Sequence, residues 1–156
     1  MFKHILVAID GSTYSNEALP SALEVARKFD SEILVLHVNE HDRGRAVVFS
    51  TETPAAATAM VADAVKKVRD AGIAAEGRLC DVAAGHVAKA ILETVEAYGT
   101  DLIVMGSRGL SDIQALMLGS ASHKIMEKAG VPVLVVWSPP HEAALATNGA
   151  GTTFKA

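Results

Sequence analysis

Two stretches of the chain combine glycines and small hydroxylated residues in a way that suits an anion. In "IDGSTYSN" (9–16) an apolar run ends on Asp10, and Gly11, Ser12, Thr13, Ser15 and Asn16 follow. A small polar loop between a strand and a helix is a common phosphate cradle. In "MGSRGLSDIQALMLGSASHKI" (105–125) glycines stand at 106, 109 and 119, with Ser120 and Ser122 just behind the last. Gly106 follows an apolar run, where glycine permits positive φ and lets a ligand approach the backbone. Gly119-Ser120-Ala121-Ser122 opens a helical pattern whose first N–H groups lack intrahelical partners and whose dipole is positive there. Phosphates bind well at such an end, and the two serines add hydroxyl donors. The spacing is neither a Walker A loop nor a GxGxxG fingerprint. The same residues also serve as turns: Gly106 and Gly109 for chain reversal, Ser120 as a helix cap, and Asp10 ahead of Gly-Ser as turn chemistry.

Other chemistry is dispersed. The six histidines lie at 4, 37, 41, 86, 123 and 141. His37 and His41 are four apart, but the first reads as strand and the second as loop, so helical metal spacing does not apply and no metal site is predicted. No nucleophile has an evident base and orienting partner, so no catalytic residue is assigned. The single cysteine, Cys80, excludes an internal disulfide and reads as a small apolar strand residue.

These residues need a scaffold. A length of 156 residues, 50% apolar and 21% charged, suits one globular domain with a real core. Aromatics at 4% count against a base-stacking face, and a net charge of −4 counts against broad nucleic-acid binding. The apolar start is too short for a signal peptide, and no run is long enough to span a membrane. A reducing, cytoplasmic setting is expected.

Four nearly unbroken apolar runs, at 4–9, 32–38, 101–106 and 131–137, suit strands buried on both faces of a parallel sheet. The more polar "AAEGRLC" (74–80) reads as an edge strand. Helical stripes fall between them, at 16–29, 55–71, 83–98 and 119–129. Pro20 is placed one turn into the first, Asp81 is expected to cap the third, and Ile125, Met126 and Ala129 are expected to face inward from the fourth. Residues 40–54 read as a mobile connection. The predicted fold class is a doubly wound α/β sheet of five parallel strands with right-handed crossovers and helices on both faces. Ligands in such sheets sit beyond the carboxyl ends of the strands, where strand order reverses.

The Gly-x2-Gly-x9-Gly-Ser spacing between the fourth strand and the last helix resembles the ATP-binding signature of the universal stress protein family. The blocks "ILVAIDGS", "LHV" (36–38), "DLIVMGSRG" and "LGSASHKI…VPVLVV" resemble that family's blocks in its order, over about 1–138. The remaining 139–156 read as a flexible tail. The resemblance implies strand order 3-2-1-4-5 and an adenine nucleotide, ATP, ADP or AMP; separately, a magnesium ion could help offset the phosphate charge. The resemblance places Asp10 by the nucleoside, with Ala8 and Ile9 on the same edge, and Val38 beside adenine. Met105 and Gly106 would pass beneath the ribose. The loop of Gly106, Ser107, Arg108, Gly109, Leu110, Ser111 and Asp112, with Gly119, Ser120, Ala121 and Ser122, would hold the phosphates. One departure matters: "LSDIQALML" carries no cation and Asp112 adds a negative charge, which favours a di- or monophosphate. Arg108 is the motif's one cation, with His123 and Lys124 nearby. The family is often dimeric through its fifth strand. Here 131–137 is a charge-free edge guarded only by Pro132, so a homodimer is predicted.

The expected role is a nucleotide-binding stress-response or regulatory protein, with at most slow ATP hydrolysis. A flavodoxin-like FMN protein competes through the "GSTYSN" loop, but only Tyr14 and Tyr98 are available for stacking besides the distant Trp137. A phosphoacceptor receiver domain would need an Asp at the end of the third strand, 74–80, and a Lys directly after the fifth, and neither is present. A partner module of the same fold that binds no nucleotide is the remaining alternative.

Overall fold

The first apolar run shows how the sheet is built. Ile5, Val7 and Ile9 enter one core cluster and Leu6 the other, and Ile5, Leu6 and Val7 are all fully buried. Side chains alternate along a strand, so an unbroken apolar run requires burial on both faces. The computed structural model describes residues 1–41, 53–107 and 120–137, leaving aside the side chains at 13, 14 and 16. Its elements are β1 (His4–Ile9), α1 (Thr13–Phe29), β2 (Glu32–His41), α2 (Pro54–Asp70), β3 (Ala75–Ala83), α3 (Val87–Tyr98), β4 (Leu102–Gly106), α4 (Ser120–Lys128) and β5 (Val133–Val136). All strand pairs are parallel, in the order β3-β2-β1-β4-β5. The doubly wound five-stranded fold is therefore as expected.

Ala18, Ala22 and Ala26 of α1 and Val61, Ala64, Val65 and Val68 of α2 pack with Ile5 and Val7. Ala88, Ile91 and Val95 of α3 and Ile125 of α4 pack with Leu6 on the opposite face. The carboxylate of Asp101 accepts the backbone N–H groups of Lys3 (2.8 Å) and His4 (3.1 Å), which fixes the entry of β1 beside β4.

Several local expectations are corrected. β2 runs on to His41, because Asn39, Glu40 and His41 pair with Asp81, Val82 and Ala83 of β3. His41 is thus a strand residue, and of the predicted 40–54 connection only 42–52 falls outside the described residues. Asp81 does not cap α3. Its carboxylate lies across the ladder, taking bonds from Asn39 Nδ2 (3.0 Å) and His41 Nε2 (2.8 Å), while His86 occupies the cap position and turns its Nδ1 to the Ala84 carbonyl (3.0 Å) rather than to the helix. α1 begins at Thr13, capped by Ser12, so Pro20 lies two turns in and the helix continues past it. The proline is exposed and removes one backbone donor there. Met126 is 43% exposed, because its neighbour Ile125 takes the core-facing position.

Candidate functional site

In the polar loop after β1, Ser12 and Ser15 bond to each other. Ser12 Oγ accepts the N–H of Ser15 at 3.2 Å, and Ser15 Oγ donates to the carbonyl of Ser12 at 3.0 Å. Both serines are buried. Asp10 Oδ1 accepts the N–H of Ser12 at 2.9 Å, and Gly11 takes a φ of 79° to complete the turn. This is a turn and helix cap of ordinary chemistry.

β1 ends where its two neighbours diverge. Its pairing stops at Ile9 with His37 of β2 and at Ala8 with Met105 of β4. This central position, with β2 on one side and β4 on the other, is where strand order reverses, and a cleft opens there. Its volume is about 90 Å³. Of the residues predicted for the site, Ala8, Ile9, Asp10 and Val38 line it from one side. Met105 and Gly106 line it from β4, and Ala121 and Ser122 from the first turn of α4. Ser122 is buried, and its Oγ reaches the Gly106 carbonyl at a long 3.4 Å, bringing the start of α4 against the end of β4.

Two predicted residues lie differently. Ser107 is wholly buried, donates its N–H to the carbonyl of Val136 at 2.9 Å, and has an Oγ with no hydrogen-bond partner among the described residues. A buried hydroxyl left so is uncommon and costly. Ser120 opens α4 with an exposed side chain. Arg108, Gly109, Leu110, Ser111, Asp112 and Gly119 fall outside the described residues.

Sequence reading missed the apolar wall. Leu36 of β2, Val87 and Ile91 of α3 and Ile125 of α4 line the cleft, together with Ser15. Val87 and Ile91 stand four apart on the helical stripe, a spacing that marks a core-facing side but not which part of it meets a cavity. The cleft therefore has an apolar back and a polar mouth. At that mouth stand a carboxylate, a glycine backbone and the N-terminal turn of a nine-residue helix. Such a turn presents free N–H groups and positive potential, which suit an anion. No group of three or more His, Cys, Asp or Glu side chains arranged for a metal occurs among the described residues.

The sequence pattern of the universal stress protein family matches residues 1–136. Universal stress protein YxiE of Bacillus subtilis (strain 168) is 34% identical over 155 residues, which cover 87% of this chain and 99% of that protein. The solved structure of hypothetical protein MJ0577 superimposes with a TM-score of 0.71 at 25% identity, covering 90% of this chain and 99% of that one. A universal stress protein family protein from Arabidopsis thaliana, solved with AMP bound, gives a TM-score of 0.67 at 21% identity over 93% of this chain and 97% of that one.

Proposed function

The chain belongs to the universal stress protein family, and we propose that it binds an adenine nucleotide in the cleft at the carboxyl ends of β1 and β4. The observation that carries this reading is the cleft's division. Leu36, Val38, Val87 and Ile91 offer an apolar slot for a base, while Gly106, Ala121 and Ser122 stand at the helix end where phosphates are favoured. A volume of about 90 Å³ embraces a base rather than a whole nucleotide. The ribose and phosphates then extend past Gly106 toward the first turn of α4. The AMP carried by the Arabidopsis protein supports the ligand class, and its 21% identity speaks for the fold alone. The absence of any cation in 110–118 favours a mono- or diphosphate, with magnesium accompanying the longer phosphates.

The role is binding and regulation: occupancy stabilises the folded chain by mass action. A second copy of the chain is the proposed protein partner, docking along β5. Leu134 is 36% and Trp137 48% exposed there, and among the described residues β5 pairs with β4 alone. Residues 1–138 would form the binding domain and 139–156 an appended tail.

Mass spectrometry of small molecules released from freshly purified protein tests the reading, with thermal shifts on adding AMP, ADP and ATP. Near-stoichiometric adenine nucleotide, or a clear rise in Tm, supports it. Release of none, with no shift from any of the three, sinks it.

A further inference from the structure

We propose that His37 is a positioning residue for the cleft, gripping the peptide that joins Ile9 to Asp10 and so holding the β1 end of the cleft wall in place. The proposal rests on the nucleotide reading above and adds a residue that touches no ligand.

Ile9 and His37 form the last register pair between β1 and β2. Beyond it β2 continues with β3 as far as His41, while β1 turns away through Asp10 and Gly11. The Ile9 carbonyl sits on the last rung of the ladder, and a carbonyl oxygen has a second lone pair beyond the one a ladder bond uses. The imidazole engages this oxygen: His37 Nδ1 lies 2.8 Å from it, and His37 is only 3% exposed. A carbonyl oxygen only accepts, so Nδ1 carries the proton.

The other end of the same peptide is also held. The Asp10 N–H donates to Ser15 Oγ at 3.3 Å. A peptide unit is planar, so fixing its oxygen and its nitrogen fixes the plane and the position of the Asp10 Cα. Asp10 Oδ1 then accepts from Ser12, closing the turn. Ile9 and Asp10 both line the cleft. A histidine in the interior of β2 thus sets the wall of a site formed by β1, and it does so from the sheet face opposite Leu36 and Val38.

The test compares His37→Leu, which keeps bulk and loses the donor, with His37→Asn, whose amide N–H reaches the place of Nδ1. Calorimetric titration with AMP is run where each variant is fully folded, and hydrogen exchange at the Asp10 and Ser12 amides is followed without ligand. In the Leu variant we expect AMP affinity to fall about tenfold and exchange at both amides to quicken by a similar factor. The Asn variant restores both. Parent-like affinity and exchange in the Leu variant overturn the proposal, as does an Asn variant no better than Leu. Nitrogen NMR of the unmodified chain gives an independent check should the Leu variant not fold: a neutral ring with its proton on Nε2 overturns the proposal. If the unmodified chain binds no AMP, the nucleotide reading fails by itself, and the exchange rates and the ring tautomer decide the role of His37.

Discussion

Asp10 Oδ1 lies 2.9 Å from the backbone nitrogen of Ser12, so the acidic residue at the mouth of the cleft is itself part of the turn that starts α1. Replacing Asp10 by Ala removes this acceptor and lowers stability by about 1 kcal/mol, the usual worth of a capping bond. Asp10→Asn keeps an acceptor oxygen and costs markedly less. Urea midpoints of the two variants check the ordering.

Ala121 stands in the first turn of α4 and lines the cleft. In Ala121→Asp the new carboxylate sits favourably at a helix N-terminus, worth roughly 0.3–1 kcal/mol, so the fold is retained. The same charge repels a phosphate at that turn. AMP titration should show binding weakened at least about tenfold, with Tm unchanged or slightly raised.

Gly77 of β3 lies under α2. A Cβ built on it would stand 2.6 Å from Val61 Cγ1 and 2.9 Å from Val65 Cγ2. Valine is stiff at χ1 and yields poorly, so Gly77→Ala should cost about 1–3 kcal/mol by overpacking. Adding Val61→Ala relieves the closer of the two contacts, leaving that with Val65. The double-mutant cycle by chemical denaturation should therefore show strong non-additivity.

Asp81 couples stability to acid. The hydrogen bond from His41 is the main reason its carboxyl sits below the ordinary range; burial opposes it next, and Asn39 adds a smaller lowering. A carboxyl depressed in the folded state stabilises the fold above its unfolded pKa, and that contribution is lost as pH falls through the folded value. The chain should lose stability on acidification below about pH 4 more steeply than Asp81→Asn does. Because Asp81 is largely exposed, the difference is small, and urea midpoints over a pH series below neutrality resolve it.

β5 presents an exposed Leu134 at the sheet edge. Leu134→Glu puts a charge where another strand would dock, a standard way of blunting an edge. Analytical ultracentrifugation should find a dimer for the parent chain at micromolar concentration and a monomer for the variant. A monomeric parent removes the proposed assembly.

The scaffold was legible because its signal is local. "HILVAI" states its own two-faced burial, and the glycine and serine spacing around Gly106 and Ser120 marks a strand end and a helix start without reference to other segments. Asp81 was misread for the opposite reason. Its partners Asn39 and His41 lie across a ladder, and sequence spacing does not reveal register. The apolar wall was hidden in the same way: Val87 and Ile91 look like any core stripe until β1 and β2 are seen to separate in front of them. His37 looked like one scattered histidine among six because the carbonyl it holds belongs to another strand.

β1 is made first and ends up in the middle. Ile5 pairs with Ile33 on one side and with Leu102 on the other, so the two edges of one strand are satisfied at very different moments of synthesis. As the chain leaves the ribosome, β1, α1 and β2 can close upon one another while the segment destined for β4 has yet to be made. Until β4 arrives, the far edge of β1 is an open template flanked by fully apolar side chains, the condition in which nascent chains most need guarding. The seam between the early and late halves is the pairing of β1 with β4, so arrival of the second half both seals the vulnerable edge and completes the cleft.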